Sequence, residues 1–437
     1  MNPNTVMIIS LVIFILTYVI IATEKVNRTV VAFLGAILLI IFKVFTLEQA
    51  ISYVSWDTIG LLFGMFIIVA ALSDSGFFTY LALKIAKLIK YSPAKLFIIF
   101  PVMTFVLSGF MDSITVMLFF ATLTFELCYM LKIDPVPLVI TEVVLANIGG
   151  AATLVGDPPN VILGLKLGFF FNDFVVHNGP ITIIAGTAAL AYCYLVSRKS
   201  FKSTGIISKE NLEKLDPASA ITDKRQFKIA ITAFAVAIIL LISHVYIEKY
   251  LHIPLLIPLA SMLPAFVMMV VLGRKAEHII TKVDYEVILF FIGLFMVVGG
   301  IEQTGVIKIM ADFISNTFQT NHIALLSTLL WGSGVASGVI DNVPFALSMA
   351  YVLADLAKIA TVPALSIMVW ATSLGTDIGG NFTPIGASAN VVAYTAMEKK
   401  GTIIGWGRWI KLALPASVIA LIICNALIYV KNLIGWY

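Results

Sequence analysis

Two sets of polar residues, about 230 positions apart, hold most of the chemistry this sequence could perform. The first is Asp112 with Ser113, followed by Thr153, Gly156, Asp157 and Asn160. The second is Asp341 with Asn342, followed by Thr383, Gly386, Ser388 and Asn390. All lie in apolar surroundings, where an ionisable side chain is costly and marks an ion or proton route. Asp112 and Asp341 occupy matching places and are expected to carry protons, as are Glu142 and Asp377. Hydroxyl and amide oxygens are hard ligands that suit Na+ better than a soft metal. Asn160 and Asn390 are the expected sodium ligands. A plainer reading stands beside each of these. Asp, Ser and Asn cap helices well, so the four aspartates could be caps. Glu142 could make one interhelical hydrogen bond, and Ser113, Asn342 and Pro344 could serve turn geometry alone.

The chain around these sets has 437 residues, 60% of them hydrophobic and only 12% charged, with a mean hydropathy of +1.03. A soluble domain carries about 25% charged residues. Half that charge cannot cover a water-facing surface, so the chain is an integral membrane protein and not a soluble enzyme or a nucleic-acid binder. Cys128, Cys193 and Cys424 lie far apart in apolar runs and indicate neither a disulfide framework nor a thiolate metal site. The five histidines are scattered and suggest no metal site. There is no nucleophile spacing and no phosphate-binding loop, which argues against an enzyme and against ATP drive within this chain.

A membrane-crossing helix needs about 20 mostly apolar residues. Residues 5–23, 28–47, 57–73, 179–197, 227–247, 253–273, 285–301 and 409–431 qualify. The first run has no basic flank or small-residue cleavage site and reads as a retained helix. Residues 94–131, 136–171, 322–356 and 364–397 are apolar but interrupted by Gly, Pro and polar residues. The long polar stretch 198–226 is rich in Lys and Arg and reads as a cytoplasmic linker. The positive-inside rule then sets the orientation. It puts the N-terminus outside, with Lys25, Arg28, the lysines from Lys84 to Lys132, Arg274 to Lys282 and Lys399 to Arg408 inside. Lys43, Lys249, Lys308, Lys358 and Lys431 fall outside. This holds only if 94–131 and 322–356 each enter and leave on one side, as re-entrant hairpins.

Residues 136–171 and 364–397 read as broken helices. Irregular backbone at membrane depth survives only when buried in protein or lining a wet cavity. The freed carbonyls suit a cation, and the following half-helix offers N–H groups and a positive dipole end to an anion. Pro158 and Pro159 fit the first turn of such a half-helix. Lys166 is the one base expected mid-segment near either break, so fixed positive charge there is sparse.

The two halves match. Trp56 through Gly76 aligns with Tyr285 through Gly305, and Ser108 through Asp112 with Ser337 through Asp341, both at an offset of 229. Ile148 through Val161 aligns with Ile378 through Val391 at 230, with seven identities in fourteen. Asp157 matches Ala387, and Asp377 matches Asn147. In the orientation above the repeats are inverted. The expectation is an all-α polytopic membrane protein of two inverted-topology repeats, each with a re-entrant hairpin and a broken helix. Residues 1–55 and 227–284 would be scaffold helices, 56–197 the first repeat, 198–226 the linker and 285–437 the second repeat. Inverted repeats with interrupted helices point to a secondary transporter with its site at the repeat interface near mid-membrane.

Gly149 through Asn160, Gly379 through Asn390, Met111 through Thr115 and Ile340 through Pro344 resemble the ion transporter superfamily. The likeness is to the branch of the melanosomal P protein and the arsenite-efflux membrane subunit, and it runs from about residue 10 to 432. The D-type Na+/H+ antiporters share that superfamily. The resemblance implies a homodimer with a scaffold domain and an elevator-type transport domain holding both hairpins and both broken helices. The site would lie between the Asp112–Ser113 tip, the 153–160 break, the Asp341–Asn342 tip and the 383–390 break. Asp-Pro-Pro-Asn at the first break departs from arsenite pumps. Asp-Ser and Asp-Asn at the tips depart from the Ser-Asn-Thr signature of dicarboxylate carriers.

The functional expectation is a proton- or sodium-coupled secondary transporter in the plasma membrane, most simply an antiporter of a small inorganic ion: Na+/H+ exchange, or efflux of an arsenite- or silicic-acid-type solute. A citrate or dicarboxylate cotransporter is the alternative within the superfamily, and an ion channel the alternative from another class. No cofactor beyond the coupling ion, Na+ or H+, is called for. Expected partners are the bilayer, a second copy of the chain and, in the arsenite-type arrangement, a separate ATPase subunit.

Overall fold

The computed structural model describes residues 2–23, 25–201, 216–252, 256–318, 321–359 and 362–437, and among them the secondary structure is entirely helical. The linker residues Lys202, Lys209 and Lys214 lie outside the described residues. The first half contains α1 (Pro3–Ala22), α2 (Arg28–Ile41), α3 (Leu47–Ser52), α4 (Trp56–Asp74), α5 (Phe77–Leu88), α6 (Pro93–Ser108), α7 (Ser113–Leu131), α8 (Val136–Gly150), α9 (Pro158–Leu167), α10 (Phe171–His177) and α11 (Gly179–Ser197). The second contains α12 (Lys224–Leu251), α13 (Ile257–Leu272), α14 (Lys275–Ile280), α15 (Tyr285–Gln303), α16 (Val306–Phe318), α17 (His322–Ser337), α18 (Asn342–Leu356), α19 (Leu365–Gly379), α20 (Ser388–Lys399) and α21 (Trp406–Ile434).

Helix starts follow from local chemistry. Asn27, Ser55, Asp112, Asp284, Asn321 and Asp341 each accept a hydrogen bond from a first-turn N–H, as N-cap side chains do. The cap of α4 is Ser55, and Asp57 lies two residues on, in the first turn. Among the described residues, α1, α4, α7, α11, α12, α15 and α21 are long and apolar enough to cross a bilayer. Large apolar side chains on α1, α12 and α13, such as Ile15, Val19, Ile239 and Val270, are exposed, as suits contact with lipid.

The helix starts recur along the chain. From α2 to α9 each first residue (28, 47, 56, 77, 93, 113, 136, 158) has a counterpart 228 to 230 residues later (257, 275, 285, 306, 322, 342, 365, 388). The recurrence therefore begins at least as early as α2. Among the described residues α10 has no counterpart.

The halves are interleaved. α4 packs chiefly on α13 and α15 on α2, so each half borrows the other's second helix. These crossings are tight at matched glycines: a Cβ on Gly64 would meet the Ser261 and Met262 backbone at 2.6 Å, and one on Gly293 the Phe33 backbone at 3.1 Å. The exchange recurs deeper in, where α9 packs on α18 and α20 on α7. The start of each half-helix is thereby brought against the hairpin of the opposite half.

Candidate functional site

The two breaks are built alike. In the first, Thr153 Oγ1 donates to the Gly109 carbonyl, and Asn160 Nδ2 donates to the Gly150 and Thr153 carbonyls, both at 3.0 Å. In the second, Thr383 Oγ1 donates to Gly338 O at 2.7 Å, and Asn390 Nδ2 to Gly380 O at 2.8 Å and Thr383 O at 2.9 Å. The threonines tie each break to its hairpin, and the asparagines satisfy carbonyls that no helix pairs. Gly156 and Gly386 make the approach possible. A Cβ on Gly156 would lie 2.4 Å from Gly150 O and 2.5 Å from Ser108 O, and one on Gly386 2.4 Å from Gly380 O.

With both amide hydrogens of each asparagine occupied, its Oδ1 is the atom left for other groups. Asn390 Oδ1 accepts from Asn147 Nδ2 at 2.9 Å, and Asn147 also donates to Asn381 Oδ1 at 2.8 Å. Asn160 Oδ1 accepts from Ser373 Oγ at 2.6 Å, and Ser373 is reached in turn by Asn178 Nδ2 at 3.1 Å. Asn147, Asn178 and Ser373 are fully buried and were not among the expected site residues. The only sequence signal for Asn147 is its match to Asp377, while Asn178 and Ser373 are single polar residues with no pattern.

Asp157 joins the first break to both hairpin tips. Its Oδ1 accepts from Ser113 Oγ at 3.0 Å and its Oδ2 from Asn342 Nδ2 at 3.3 Å, so one carboxylate at the α9 N-terminus bridges both hairpin tips. It makes no capping bond to its own helix. Asp377 lies next to Asp157 and Asn160 inside α19. Asp377 is fully buried, and among the described residues neither of its oxygens has a hydrogen bond of good geometry. A buried carboxyl without partners is costly, and a proton or a cation removes that cost.

The tip aspartates are engaged elsewhere. Asp112 accepts from Thr115 N at 2.9 Å and Thr115 Oγ1 at 2.7 Å. Asp341 accepts from Val343 N at 3.1 Å and from Arg28 Nη1 at 3.1 Å. The same Arg28 nitrogen donates to Ser388 Oγ at 2.8 Å. Arg28 corrects the expectation that Lys166 is the one base near a break. It sits at the start of α2, where the positive-inside rule alone accounted for it, and reaches both the second tip and the second break. Lys166 is in the last turn of α9 with its Nζ 4.0 Å from the Tyr351 ring centroid. Glu142 makes the plain interhelical bond, accepting from Thr124 Oγ1 at 2.6 Å, and its second oxygen has no partner among the described residues.

Two cavities lead to the tips. One of about 420 Å³ is lined by Lys25, Arg28, Asp284, Glu286, Asp341 and Ser388. The other, about 170 Å³, reaches Asp112 beside Thr115, Lys282 and Asp284. Ile114, Asp284 and Val287 line both.

A multi-span helical bundle whose interrupted helices converge on buried polar groups, reached by cavities, is a membrane transporter. The chain belongs to the citrate transporter family, whose model (CitMHS) matches residues 18–375. It is 34% identical over 430 residues to an uncharacterized transporter of Mycobacterium tuberculosis, covering 97% of both chains. It is 27% identical over 501 residues to the human P protein, covering 96% of this chain and 59% of that one. Its fold is similar to the YdaH transporter of Alcanivorax borkumensis, with a TM-score of 0.58 at 14% identity over 100% of this chain and 99% of that one. It is also similar to MtrF of Neisseria gonorrhoeae, with a TM-score of 0.55 at 15% identity over 89% and 83% of the two chains.

Proposed function

We propose that this protein is an ion-coupled secondary transporter in which Asp157 and Asp377 hold the coupling ion, H+ or Na+. The observation that carries this reading is the burial of two adjacent carboxyls, one bridging both hairpin tips and the other without a well-formed hydrogen bond among the described residues. Two adjacent buried carboxylates cannot both stay charged without a counter-charge. Occupancy by one cation or proton neutralises the pair, and Asn160 Oδ1 and Ser373 Oγ supply further hard oxygens beside it. Because Asp157 is bonded to both tips, occupancy of the pair is felt by both.

In the same reading the halves are inverted repeats, and the hairpins with α8, α9, α19 and α20 move as an elevator against a scaffold that includes α1, α2, α12 and α13. The linker lies in the cytoplasm and the N-terminus outside. The protein works as a homodimer in the plasma membrane, and exchange of a small ion is the mode. The family's citrate name supports the alternative of a carboxylate cargo. The test is proton movement in proteoliposomes, followed with an internal pH dye as Na+, Li+, arsenite, silicic acid and citrate are added in turn. A response to at least one that is lost in Asp157→Asn and Asp377→Asn supports the reading. Flux that persists in both variants overturns it.

A further inference from the structure

We propose that Arg28 and Ser388 form the end of the cargo site that holds an oxyanion, with the Asp341 carboxylate as an internal stand-in that the cargo displaces. The two halves differ at the hairpin tips. Asp112 and Asp341 are matched positions, and each carboxylate needs partners for two oxygens. In the first half Thr115 supplies both donors, backbone and hydroxyl. The residue matched to Thr115 is Pro344, which has neither N–H nor hydroxyl, and the residue matched to Arg28 is Ile257. A hydroxyl would suffice to satisfy the carboxylate, as the first half demonstrates. The second half instead brings a guanidinium from α2, a separate helix, into a cavity.

That guanidinium is under-used. Arg28 reaches Asp341 and Ser388 through Nη1 alone. Among the described residues its Nε and Nη2 donate to no protein acceptor, although an arginine has five N–H donors arranged to match an oxyanion. Its Cζ lies 4.9 Å from the Phe290 ring centroid, which supports the planar group against one wall. The side chain is 27% exposed. The adjoining cavity of about 420 Å³ is within the range of small-molecule sites, roughly 300–1,000 Å³. Lys25 adds a second positive charge to the lining. The other two acids there have fixed tasks: Asp284 accepts from Val287 N at 3.1 Å and Glu286 from Asn27 Nδ2 at 2.6 Å. Asp341 caps α18 through one oxygen, and its other oxygen is the one paired with the guanidinium and so placed to exchange. An incoming oxyanion takes the guanidinium and the Ser388 hydroxyl, and the second hairpin tip is released from α2 in the same step. Cargo binding and freedom of the tip thus become one event.

The proposal rests on the transporter reading for the word cargo, but binding is measured without transport. Full-length protein in detergent is titrated by calorimetry with citrate and, separately, inorganic phosphate, with sodium chloride as the ionic-strength control. Saturable binding of one probe is expected, citrate marking an organic carboxylate site and phosphate an inorganic oxyanion site. Arg28→Gln is expected to weaken it at least tenfold and Arg28→Lys by less, while Asp341→Asn tightens it severalfold by removing the internal competitor. Should Arg28→Gln not fold, the Arg28→Lys and Asp341→Asn pair carries the test. Binding of neither probe, equal binding by the Arg28 variants and wild type, or weaker binding by Asp341→Asn would each overturn the proposal. Asp157→Asn is expected to keep anion binding while losing coupled flux, which separates failure of this proposal from failure of the coupling-ion reading.

Discussion

Asn147 and Asp377 occupy matched positions 230 residues apart, and each faces the asparagine that closes the opposite break. Asn147 donates to Asn390 Oδ1 through its amide. Asp377 faces Asn160, whose two amide hydrogens are already committed to Gly150 O and Thr153 O. A bare carboxylate can donate nothing to Asn160 Oδ1, whose donor is Ser373 Oγ; a protonated carboxyl can add a second donor. The first half has fixed with an amide a contact that a bare carboxylate in the second half cannot make.

The substitution Asp377→Asn therefore puts beside one break the kind of amide donor that the other already has. The variant is expected to fold and to melt at the wild-type temperature or above, since a net hydrogen bond contributes about 0.5–1.5 kcal/mol. Ion-coupled flux in proteoliposomes is expected to be lost. A stable protein with intact coupling would show that Asp377 is a structural residue.

The converse substitution, Asn147→Asp, places a second carboxyl where Asn390 and Asn381 oxygens both wait for a donor. Leaving buried groups unsatisfied costs about 1–3 kcal/mol each. A loss of several degrees in melting temperature is expected, measured by thermal unfolding in detergent.

Replacing Asp157 by Ala removes the acceptor of both Ser113 and Asn342. Hydrogen bonds to a charged group contribute about 1.5–3 kcal/mol. The informative readout is local. Amide exchange is expected to rise together at the starts of α7 and α18, because one side chain ties both. Faster exchange at only one tip would show that Asp157 does not couple them.

Much of this was legible in the sequence because the repeat is written in residues that have no substitute at their positions. Thr153 and Thr383, Asn160 and Asn390, and Gly156 and Gly386 recur at 230 because each makes the same backbone contact, and the eye finds identities where geometry allows one residue type. The site's asymmetry was less legible. Arg28 lies 313 residues from Asp341, and nothing near either one announces the pair. Asp112 and Asp341 look equivalent in sequence, and the difference rests on Thr115 against Pro344, which reads as a loop detail until the second oxygen needs a donor. Ser373 and Asn178 act through contacts 213 and 195 residues away, so no spacing rule reaches them.

Gly156→Ala and Gly386→Ala test how closely the breaks must pack. The added methyl at 156 meets two backbone carbonyls, Gly150 O at 2.4 Å and Ser108 O at 2.5 Å. At 386 it meets Gly380 O at 2.4 Å and Ser337 O at 2.9 Å. Carbonyls fixed in helix ends cannot swing away as a flexible side chain can, so the backbone itself must shift. Overpacking of this kind costs about 1–3 kcal/mol. Both variants are expected to melt lower, with Gly156→Ala the worse because both of its neighbours are closer than 3 Å by a wide margin. The shift also pushes the break away from its hairpin, so the Thr153 and Thr383 bonds to Gly109 and Gly338 weaken in turn. Coupled flux is expected to fall further than stability does, since the position of Asp157 is set by the residue immediately before it. Comparison of melting temperature with flux for the two variants checks this: Gly386 precedes Ala387, which has no carboxylate to misplace, and its variant is expected to keep the larger share of coupling.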